Sequence, residues 1–199
     1  MISLIIVANG TGQRFGENKM LVKIENEYLI NKTINCFKNI EQIKEVILVS
    51  NKEVFDVVEN DSIIFCEGGS TRSESVKIGL EKCTEEFVMI HDGARPYVSK
   101  RIINESIMNL ENNDCVVPVL KVTNCLKQFV KNKIKTVNRE GFVQSQTPQS
   151  FKTKIIKEAY NKNLGEFYDD CQLLENDNYK IKLIEGSEKN KKITFKEDL

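Results

Sequence analysis

Short apolar runs alternate with segments of helical spacing along most of the chain. The runs that indicate buried strands are residues 2–7, 45–50, 62–66, 87–91 and 114–119. The helical segments lie between them, at residues 30–37, 52–59, 71–80 and 99–110. A Thr71-x-x-Glu74 capping box and a Ser99 cap mark where two of these helices begin. The alternation predicts an α/β, Rossmann-like domain, with a mostly parallel twisted sheet and helices on both faces.

The pattern changes at residues 121–142, where two extended pieces flank residues 131–133 with no helix between them. This arrangement predicts a protruding β-hairpin arm. Because the arm is too polar to build its own core, we expect it to pack on a second subunit of a homodimer. Further helices are predicted at residues 152–161 and 169–175, and further strands at 180–184 and 192–195. Residues 196–199 are typical of a helix start. We expect a single domain over residues 1–199, with one more helix at the end of the natural domain that is either missing here or absent in this protein.

The segment after the first strand combines glycines with cations. Its glycines are Gly10, Gly12 and Gly16. Glycines bring backbone N–H groups against a ligand, and the nearby Arg14 and Lys19 favour an anion such as a phosphate chain. The spacing fits neither the G-x-G-x-x-G dinucleotide fingerprint nor the P-loop, in which a Lys is followed by Ser or Thr. The segment is therefore either a third kind of nucleotide loop or a glycine-rich turn with two solvated cations.

Two further loops follow predicted strands, and all three loops should lie along the edge where parallel strands have their carboxyl ends. In residues 67–75, Gly68 and Gly69 would let the backbone approach a base or a ribose. Arg72 and Ser75 begin the next helix, where donors favour an anion or a carbonyl oxygen. Taken alone, the two glycines could equally form a tight turn, and Arg72 could be a surface charge.

Asp92 comes directly after an apolar strand, at the start of the third loop, D-G-A-R-P. A carboxylate that faces a phosphate site is a suitable Mg²⁺ ligand, because magnesium takes one or two carboxylates together with phosphate oxygens and water. Arg95 would then clamp a second anion. In the alternative interpretation Asp92 is a turn residue and Arg95 is its ion-pair partner. His91 is interpreted as a packing residue without a catalytic role.

Composition narrows the classes of function. The chain of 199 residues has a formal net charge of zero, which gives no basic field for nucleic acid. No apolar run is long enough to span a bilayer, and the apolar start lacks the basic region of a signal peptide. Six cysteines without a C-x-x-C pair, with one histidine, indicate reduced thiols rather than a zinc site. We therefore expect a cytoplasmic protein that binds neither membranes nor nucleic acid.

Five motifs occur in order along the chain and together carry a family resemblance. They are A-N-G-T-G-Q-R-F-G with Lys19, G-G-S-T-R-S-E-S-V, I-H-D-G-A-R-P, Q-T-P-Q-S-F and E-G-S-E-K-N-K-K-I-T-F-K-E-D-L. The set covers nearly the whole chain and resembles the 2-C-methyl-D-erythritol 4-phosphate cytidylyltransferase family. The resemblance implies transfer of CMP from CTP to 2-C-methyl-D-erythritol 4-phosphate, with release of pyrophosphate, in non-mevalonate isoprenoid synthesis. It also implies Mg²⁺ as cofactor and a homodimer formed through the arm.

The resemblance also implies a role for individual residues. Arg14 and Lys19 would be catalytic and stabilise the transition state at the α-phosphate, and Asp92 would bind the metal. With Gly10 and Arg72 from the loop pattern, the candidate nucleotide-binding residues are Ala8, Asn9, Gly10, Gly12, Gly69, Arg72 and Ser75. The implied acceptor-binding residues are Arg95, Arg139, Thr147 and Lys192. Arg139 belongs to the arm and would reach the acceptor site of the partner subunit.

The chain departs from the family pattern at four places. Asn9 stands where a second alanine is usual, and Cys125 where the arm often has an acceptor-binding threonine. Tyr168 replaces a threonine, and residues 189–192 carry an extra lysine. Three of the four lie in acceptor-side segments, so ribitol 5-phosphate is the alternative acceptor. A non-catalytic, dimeric nucleotide-binding homologue is the alternative to an enzyme.

Overall fold

The computed structural model describes residues 1–10, 12, 15–60, 62–163, 165, 167–175 and 178–199. The strands are β1 Ile2–Val7, β2 Lys23–Ile24, β3 Glu27–Tyr28, β4 Ile43–Ser50, β5 Ile63–Glu67, β6 Phe87–Asp92, β7 Cys115–Lys121, β8 Leu126–Val130, β9 Lys133–Val137, β10 Val143–Ser145, β11 Gln149–Lys152 and β12 Ile181–Glu185. The α-helices are α1 Leu29–Asn35, α2 Lys52–Phe55, α3 Arg72–Lys82, α4 Lys100–Leu110 and α5 Thr153–Lys162. Short 3₁₀ helices lie at Lys19–Leu21, Asp170–Leu174, Glu188–Asn190 and Lys196–Asp198. Within the described ranges, none of these helices has the length and apolar character needed to cross a membrane.

The main sheet has eight strands and is organised around β1. β4 and β6 are the parallel neighbours of β1, and β5 extends the parallel part beyond β4. β11 runs antiparallel between β6 and β7, β10 pairs antiparallel with β7, and β12 pairs with β7 in parallel. The mostly parallel α/β architecture is therefore confirmed. It also places the carboxyl ends of β1, β4, β5 and β6 along one edge.

β1 is buried on both faces, as a central parallel strand should be. Ile6 belongs to one core cluster, together with Ile102 of α4. Ile5 belongs to a second cluster, together with Val76 of α3 and Ile156 of α5. Because successive strand residues point to opposite faces, this division means that helices cover both faces of the sheet.

β8 and β9 form a separate antiparallel hairpin within the segment predicted as an arm. Lys131 and Asn132 connect them with φ values of +50° and +59°, as in the common two-residue hairpin turns. Phe129 and Ile134 face each other across the two strands, and each is 69% exposed. The hairpin therefore presents an apolar pair that this chain does not cover.

Most predicted strands and helices are confirmed in place, but three predicted elements differ, and four strands, β2, β3, β10 and β11, lie where the pattern predicts none. α2 is a single turn that ends at Phe55, and residues 169–175 contain a 3₁₀ helix instead of an α-helix. β10 and β11 lie at residues 143–152, where the pattern predicts no strand. The predicted strand at residues 192–195 is wrong. There the backbone bonds to a loop instead of a strand, with the Ile193 N–H donating to the Ala94 carbonyl at 2.9 Å.

Candidate active site

The loops that follow β1, β5 and β6 line one cavity of about 450 Å³. A fourth segment contributes Lys192 and Thr194. Ten of the candidate residues line this cavity: Ala8, Asn9, Gly10, Gly12, Lys19, Gly69, Arg72, Ser75, Asp92 and Lys192. The three loops thus meet at the predicted edge of the sheet. Arg14, the other predicted catalytic cation, lies outside the described residues.

Gly12 determines the shape of the first loop. Its φ of +67° lies in the left-handed region that favours glycine. Its carbonyl accepts hydrogen bonds from the N–H groups of Phe15 and Gly16, both at 2.8 Å. A Cβ on Gly12 would lie 1.9 Å from the carbonyl oxygen of Glu17. A residue with a side chain would therefore force this wall of the cavity to move.

Asn9 joins the first loop to the second. Its side-chain amide donates to the carbonyl of Gly69 at 2.8 Å. A Cβ on Gly68 would lie 2.3 Å from the Asn9 side chain, so the glycine makes room for this contact. The Ser75 hydroxyl accepts from the Gly69 N–H at 3.1 Å and donates to the Thr71 carbonyl at 2.9 Å. Asn9, a departure from the family pattern, therefore helps to hold the second loop in place.

Lys19 connects the first loop to the segment near residue 193. It begins a 3₁₀ helix, and its Nζ donates to the carbonyl of Ile193 at 2.8 Å. Ile193 is fully buried, and its N–H bonds to Ala94 of the third loop. These contacts fix the neighbouring Lys192 at the cavity wall.

Asp92 ends β6 and faces three cations. Its carboxylate lies 3.0 Å from Nζ of Lys192, 3.3 Å from Nε of Arg72 and 3.5 Å from Nε of Arg95. Burial opposes ionisation, but Lys192, Arg72 and Arg95 outweigh it and hold the pKa of Asp92 well below its usual range. The pairing of Asp92 with Arg95 is therefore present. The predicted role of Asp92 as a magnesium ligand stays a prediction.

Arg72 is shared between two carboxylates. Its Nη1 and Nη2 donate to Oδ1 and Oδ2 of Asp170 at 2.9 and 2.8 Å, while its Nε faces Asp92. The Tyr160 hydroxyl donates to Oδ1 of Asp170 at 2.6 Å. Burial opposes the charge on Arg72, but Asp170 and Asp92 outweigh it and raise its pKa. Arg72 is thus a half-buried structural cation and not the surface charge of the alternative interpretation.

Sequence reasoning missed Asp170 and Tyr160. The only signal was the acidic pair Asp169 and Asp170 beside Tyr168, one of the four departures. Nothing in the spacing connects that pair to Arg72, which lies 98 residues earlier. The contact arises from the fold, because α5 packs against α3, against β11 and against the 3₁₀ helix that carries Asp170.

Thr147 holds the backbone of Asp92, and His91 in turn contacts Thr147. The Thr147 Oγ1 accepts from the Asp92 N–H at 3.0 Å and lies 3.1 Å from Nδ1 of His91. Nε2 of His91 lies 3.1 Å from the Arg95 carbonyl, which can only accept, so Nε2 carries the proton and Nδ1 accepts from Thr147. Burial lowers the pKa of His91 to about 4, so the ring is neutral at neutral pH.

Arg95 and Arg139 are two predicted acceptor residues outside the cavity lining. Arg95 is mostly buried, and its Nη1 donates to the carbonyl of Asn190 at 2.7 Å. Arg139 is exposed beyond β9 and donates to the carbonyl of Thr123. The predicted role of Arg139 concerns a partner subunit and stays a prediction.

The donor set at the cavity suits a metal shared with a substrate. Among the described residues, no group of three or more His, Cys, Asp or Glu side chains is placed to hold a metal ion. Asp92 is the acidic residue that lines the described part of the cavity. One carboxylate is sufficient for magnesium when phosphate oxygens and water supply the other ligands. Asp92 therefore fits magnesium bound jointly with a phosphate chain.

Comparisons with known proteins agree with this geometry. The bifunctional IspDF of Campylobacter jejuni has a solved structure that is 36% identical, with a TM-score of 0.89, and the match covers 100% of this chain and 53% of that one. A 4-diphosphocytidyl-2C-methyl-D-erythritol synthase structure from Anaerococcus prevotii is 30% identical, with a TM-score of 0.88, over 100% of this chain and 92% of that one. The 2-C-methyl-D-erythritol 4-phosphate cytidylyltransferase of Alkaliphilus oremlandii is 36% identical over 99% of this chain and 91% of its own length.

The chain spans about half the length of the first curated relatives that it matches, which are bifunctional IspD/IspF enzymes. The family profile described as IspD, 2-C-methyl-D-erythritol 4-phosphate cytidylyltransferase, matches residues 2–199. With the fold, the ordered motifs and the cavity in agreement, the chain belongs to the 2-C-methyl-D-erythritol 4-phosphate cytidylyltransferase family.

Proposed function

We propose that this chain transfers CMP from CTP to 2-C-methyl-D-erythritol 4-phosphate and releases pyrophosphate. The observation that carries the proposal is the cavity at the carboxyl edge of the sheet, where Arg72 and Lys192 contact Asp92 and Lys19 lines the same wall. Such a concentration of cations suits a triphosphate with a second, phosphorylated substrate. The names of the family and of its relatives favour methylerythritol phosphate over ribitol phosphate as acceptor.

The reaction needs no general base. An oxygen of the acceptor phosphate, already ionised at neutral pH, attacks the α-phosphorus of CTP and forms the new P–O bond. The bond between the α-phosphorus and the bridging oxygen breaks, and pyrophosphate leaves with the electron pair. The protein's task is then to position two anions and to neutralise the charge that develops between them. We assign this task to Lys19 and to Arg14.

Magnesium is proposed as the cofactor, with Asp92 as its protein ligand. When bound, it would neutralise charge on the triphosphate. Lys192 and Arg72 hold the Asp92 carboxylate ionised and oriented toward the cavity. Thr147 fixes the backbone at the same residue.

We place the acceptor on the side of Lys192, Arg95 and Thr147, and we propose a homodimer in which the hairpin delivers Arg139 to the partner's site. The exposed apolar pair on the hairpin supports this arrangement, because paired aromatic and aliphatic side chains commonly anchor interfaces. A single nucleotidyltransferase domain over residues 1–199 stays a prediction. A cytoplasmic location is also proposed.

A pyrophosphate-release panel tests the function. The purified protein is combined with each of four nucleoside triphosphates and with either methylerythritol phosphate or ribitol phosphate, with and without Mg²⁺. We expect turnover with CTP, methylerythritol phosphate and Mg²⁺, and much slower turnover with every other combination. Faster turnover with ribitol phosphate would overturn the acceptor. CTP binding without turnover on either acceptor would favour the non-catalytic homologue.

A further inference from the structure

Asp170 is a carboxylate that the proposed chemistry does not use. It begins the 3₁₀ helix Asp170–Leu174 and is completely buried. A buried carboxylate is stable only when it is paired and hydrogen-bonded. Both oxygens accept from the guanidinium fork of Arg72, and Oδ1 also accepts from Tyr160.

The geometry of Arg72 is unequal toward its two acids. The fork makes two short bonds to Asp170, at 2.8 and 2.9 Å, whereas only Nε approaches Asp92, at 3.3 Å. The end-on donors on Nη1 and Nη2, which make the two bonds to Asp170, can serve only one carboxylate at a time. As long as Asp170 holds the fork, Arg72 contacts Asp92 through one nitrogen only.

We propose that Asp170 and Tyr160 are positioning residues that keep the fork of Arg72 off Asp92, so that Asp92 stays available to a divalent cation. The inference rests on the proposed function, in which Asp92 binds magnesium. Tyr160 fills one acceptor site on Asp170 and so fixes the orientation that the carboxylate presents to Arg72. Asp170 is not among the described residues that line the cavity, and its link to the cavity is its pair with the lining residue Arg72.

Removing the charge of Asp170 has a defined consequence. The fork of Arg72 loses its partner, and Asp92 is the carboxylate that already contacts the same guanidinium. A bidentate Arg72–Asp92 pair would then compete with the metal for the same oxygens. The metal site should therefore weaken although none of its ligands has been changed.

The test measures Mn²⁺ binding in the presence of α,β-methylene-CTP, followed by the electron paramagnetic resonance of free Mn²⁺. The variants are Asp170→Asn and Tyr160→Phe. Asp114→Asn is the matched control, because it removes an acid paired with Lys152 away from the cavity. We expect Asp170→Asn to raise the half-saturating Mn²⁺ concentration by about tenfold, a typical loss for a group behind a metal ligand. Tyr160→Phe should give a smaller shift in the same direction, and the control should stay within about twofold of the parent protein.

A cycle with Arg72→Met separates positioning from general loss of structure. If Asp170 acts through Arg72, adding Asp170→Asn to Arg72→Met should leave the half-saturating Mn²⁺ concentration unchanged. If Asp170→Asn instead weakens Mn²⁺ binding by disturbing the fold, the double variant should bind Mn²⁺ more weakly than Arg72→Met alone. In turnover assays with Mg²⁺, Asp170→Asn should raise the Mg²⁺ requirement and leave KM for the acceptor close to that of the parent.

Each outcome decides the inference. Wild-type Mn²⁺ binding by folded Asp170→Asn overturns it, and so does a full additional loss in the Arg72→Met background. If Asp170→Asn does not fold, Tyr160→Phe decides: a raised half-saturating Mn²⁺ concentration supports the inference, and an unchanged one overturns it. A parent protein that binds Mn²⁺ with the CTP analogue but turns over neither acceptor contradicts the proposed function only. A parent protein that binds no Mn²⁺ with the analogue overturns the positioning inference.

Discussion

At the scale of single residues, the shape of the site depends on glycines, where a side chain would clash, as much as on charged groups. Gly12 and Gly68 admit contacts that a Cβ would block, with Glu17 and with Asn9 respectively. Gly69 is equally constrained, since a Cβ there would lie 2.4 Å from Cβ of Glu74. The glycines therefore set the positions of the loop backbones. The cations then line a cavity whose shape the backbones have fixed.

Gly12→Ala should destabilise the protein. Alanine in the left-handed region costs about 1–2 kcal/mol, and the clash with the Glu17 carbonyl adds to it. Urea unfolding should show a loss of at least about 1 kcal/mol. Gly141→Ala is the control, because a Cβ there meets nothing within 4 Å. Equal stability of the two variants would contradict the strain at Gly12.

Lys19→Ala should lower kcat by about 10²–10³-fold, the loss typical of one preorganised electrostatic donor. Steady-state pyrophosphate release gives the value. Lys196→Ala is the matched control, because Lys196 is 66% exposed and pairs with Glu17 at the surface. A surface pair contributes little, so the control should keep the parent rate. Parent-like turnover by Lys19→Ala would remove Lys19 from the catalytic role.

Residue type and position predicted much of the site but not its internal bonds. Lys19, Gly69 and Asp92 could be selected because each follows a predicted strand, and parallel strands bring such residues to one edge. The bond from Asn9 to Gly69 and the pair of Arg72 with Asp170 could not be selected. They join residues 60 and 98 positions apart, and a pattern along the chain does not reveal such distant partners.

At the scale of elements, apolar periodicity was sufficient for the strands of the parallel part and for α3 and α4. It failed for β11, where Gln149 and Ser150 are polar yet fully buried. Gln149 is tolerated there because it donates to Asp169 and accepts from the Cys171 N–H. The strand prediction near Ile193 failed for the opposite reason. There an apolar residue is buried although it does not belong to a strand.

Ile193→Ala tests how that segment is held. Ile193 is fully buried, and shortening a buried isoleucine to alanine costs about 2–5 kcal/mol. The same change should loosen Lys192 and lower kcat/KM for the acceptor. Lys192→Ala should lower kcat/KM without a comparable loss in the free energy of unfolding, because its side chain is 36% exposed. Matching stability losses in both variants would show that Ile193 does not anchor the segment.

The hairpin is the element whose role depends on a partner. Phe129→Ser combined with Ile134→Ser removes the exposed apolar pair of β8 and β9. If the hairpin forms the proposed homodimer, sedimentation equilibrium should show a dimer for the parent and a monomer for the double variant. Lys127→Ser, on the same hairpin, is the control and should stay dimeric. A dimer that persists in the double variant would place the interface elsewhere.

At the scale of the whole molecule, charge and thiols are distributed unevenly. The chain has no net charge, yet three of its cations, Arg72, Arg95 and Lys192, surround Asp92 at one edge of the sheet. Of the six cysteines, Cys125 is exposed and Cys36 is half-buried, while the other four are buried. A folded chain therefore offers one readily accessible thiol, in the segment that leads to the hairpin.

A thiol titration at pH 8 should distinguish Cys125 from the others. Burial raises the pKa of Cys83 to about 12 and also raises the pKa values of Cys66 and Cys36, so their reactive thiolates are scarce. We expect one thiol to react rapidly with Ellman's reagent and all six after denaturation. Cys125→Ser should abolish the fast phase. Two or more fast thiols in the native protein would contradict the shielding of the four buried cysteines and of half-buried Cys36.

The bond between Lys19 and Ile193 brings together two parts of the polypeptide that are 174 positions apart. A nucleotide bound beside them would contact the loop after β1 and the segment around Ile193 at the same time. The bound nucleotide would thus tie the two ends of the chain together. Backbone amide hydrogen exchange should therefore slow in the loop after β1 and in the segment around Ile193 together as nucleotide is added.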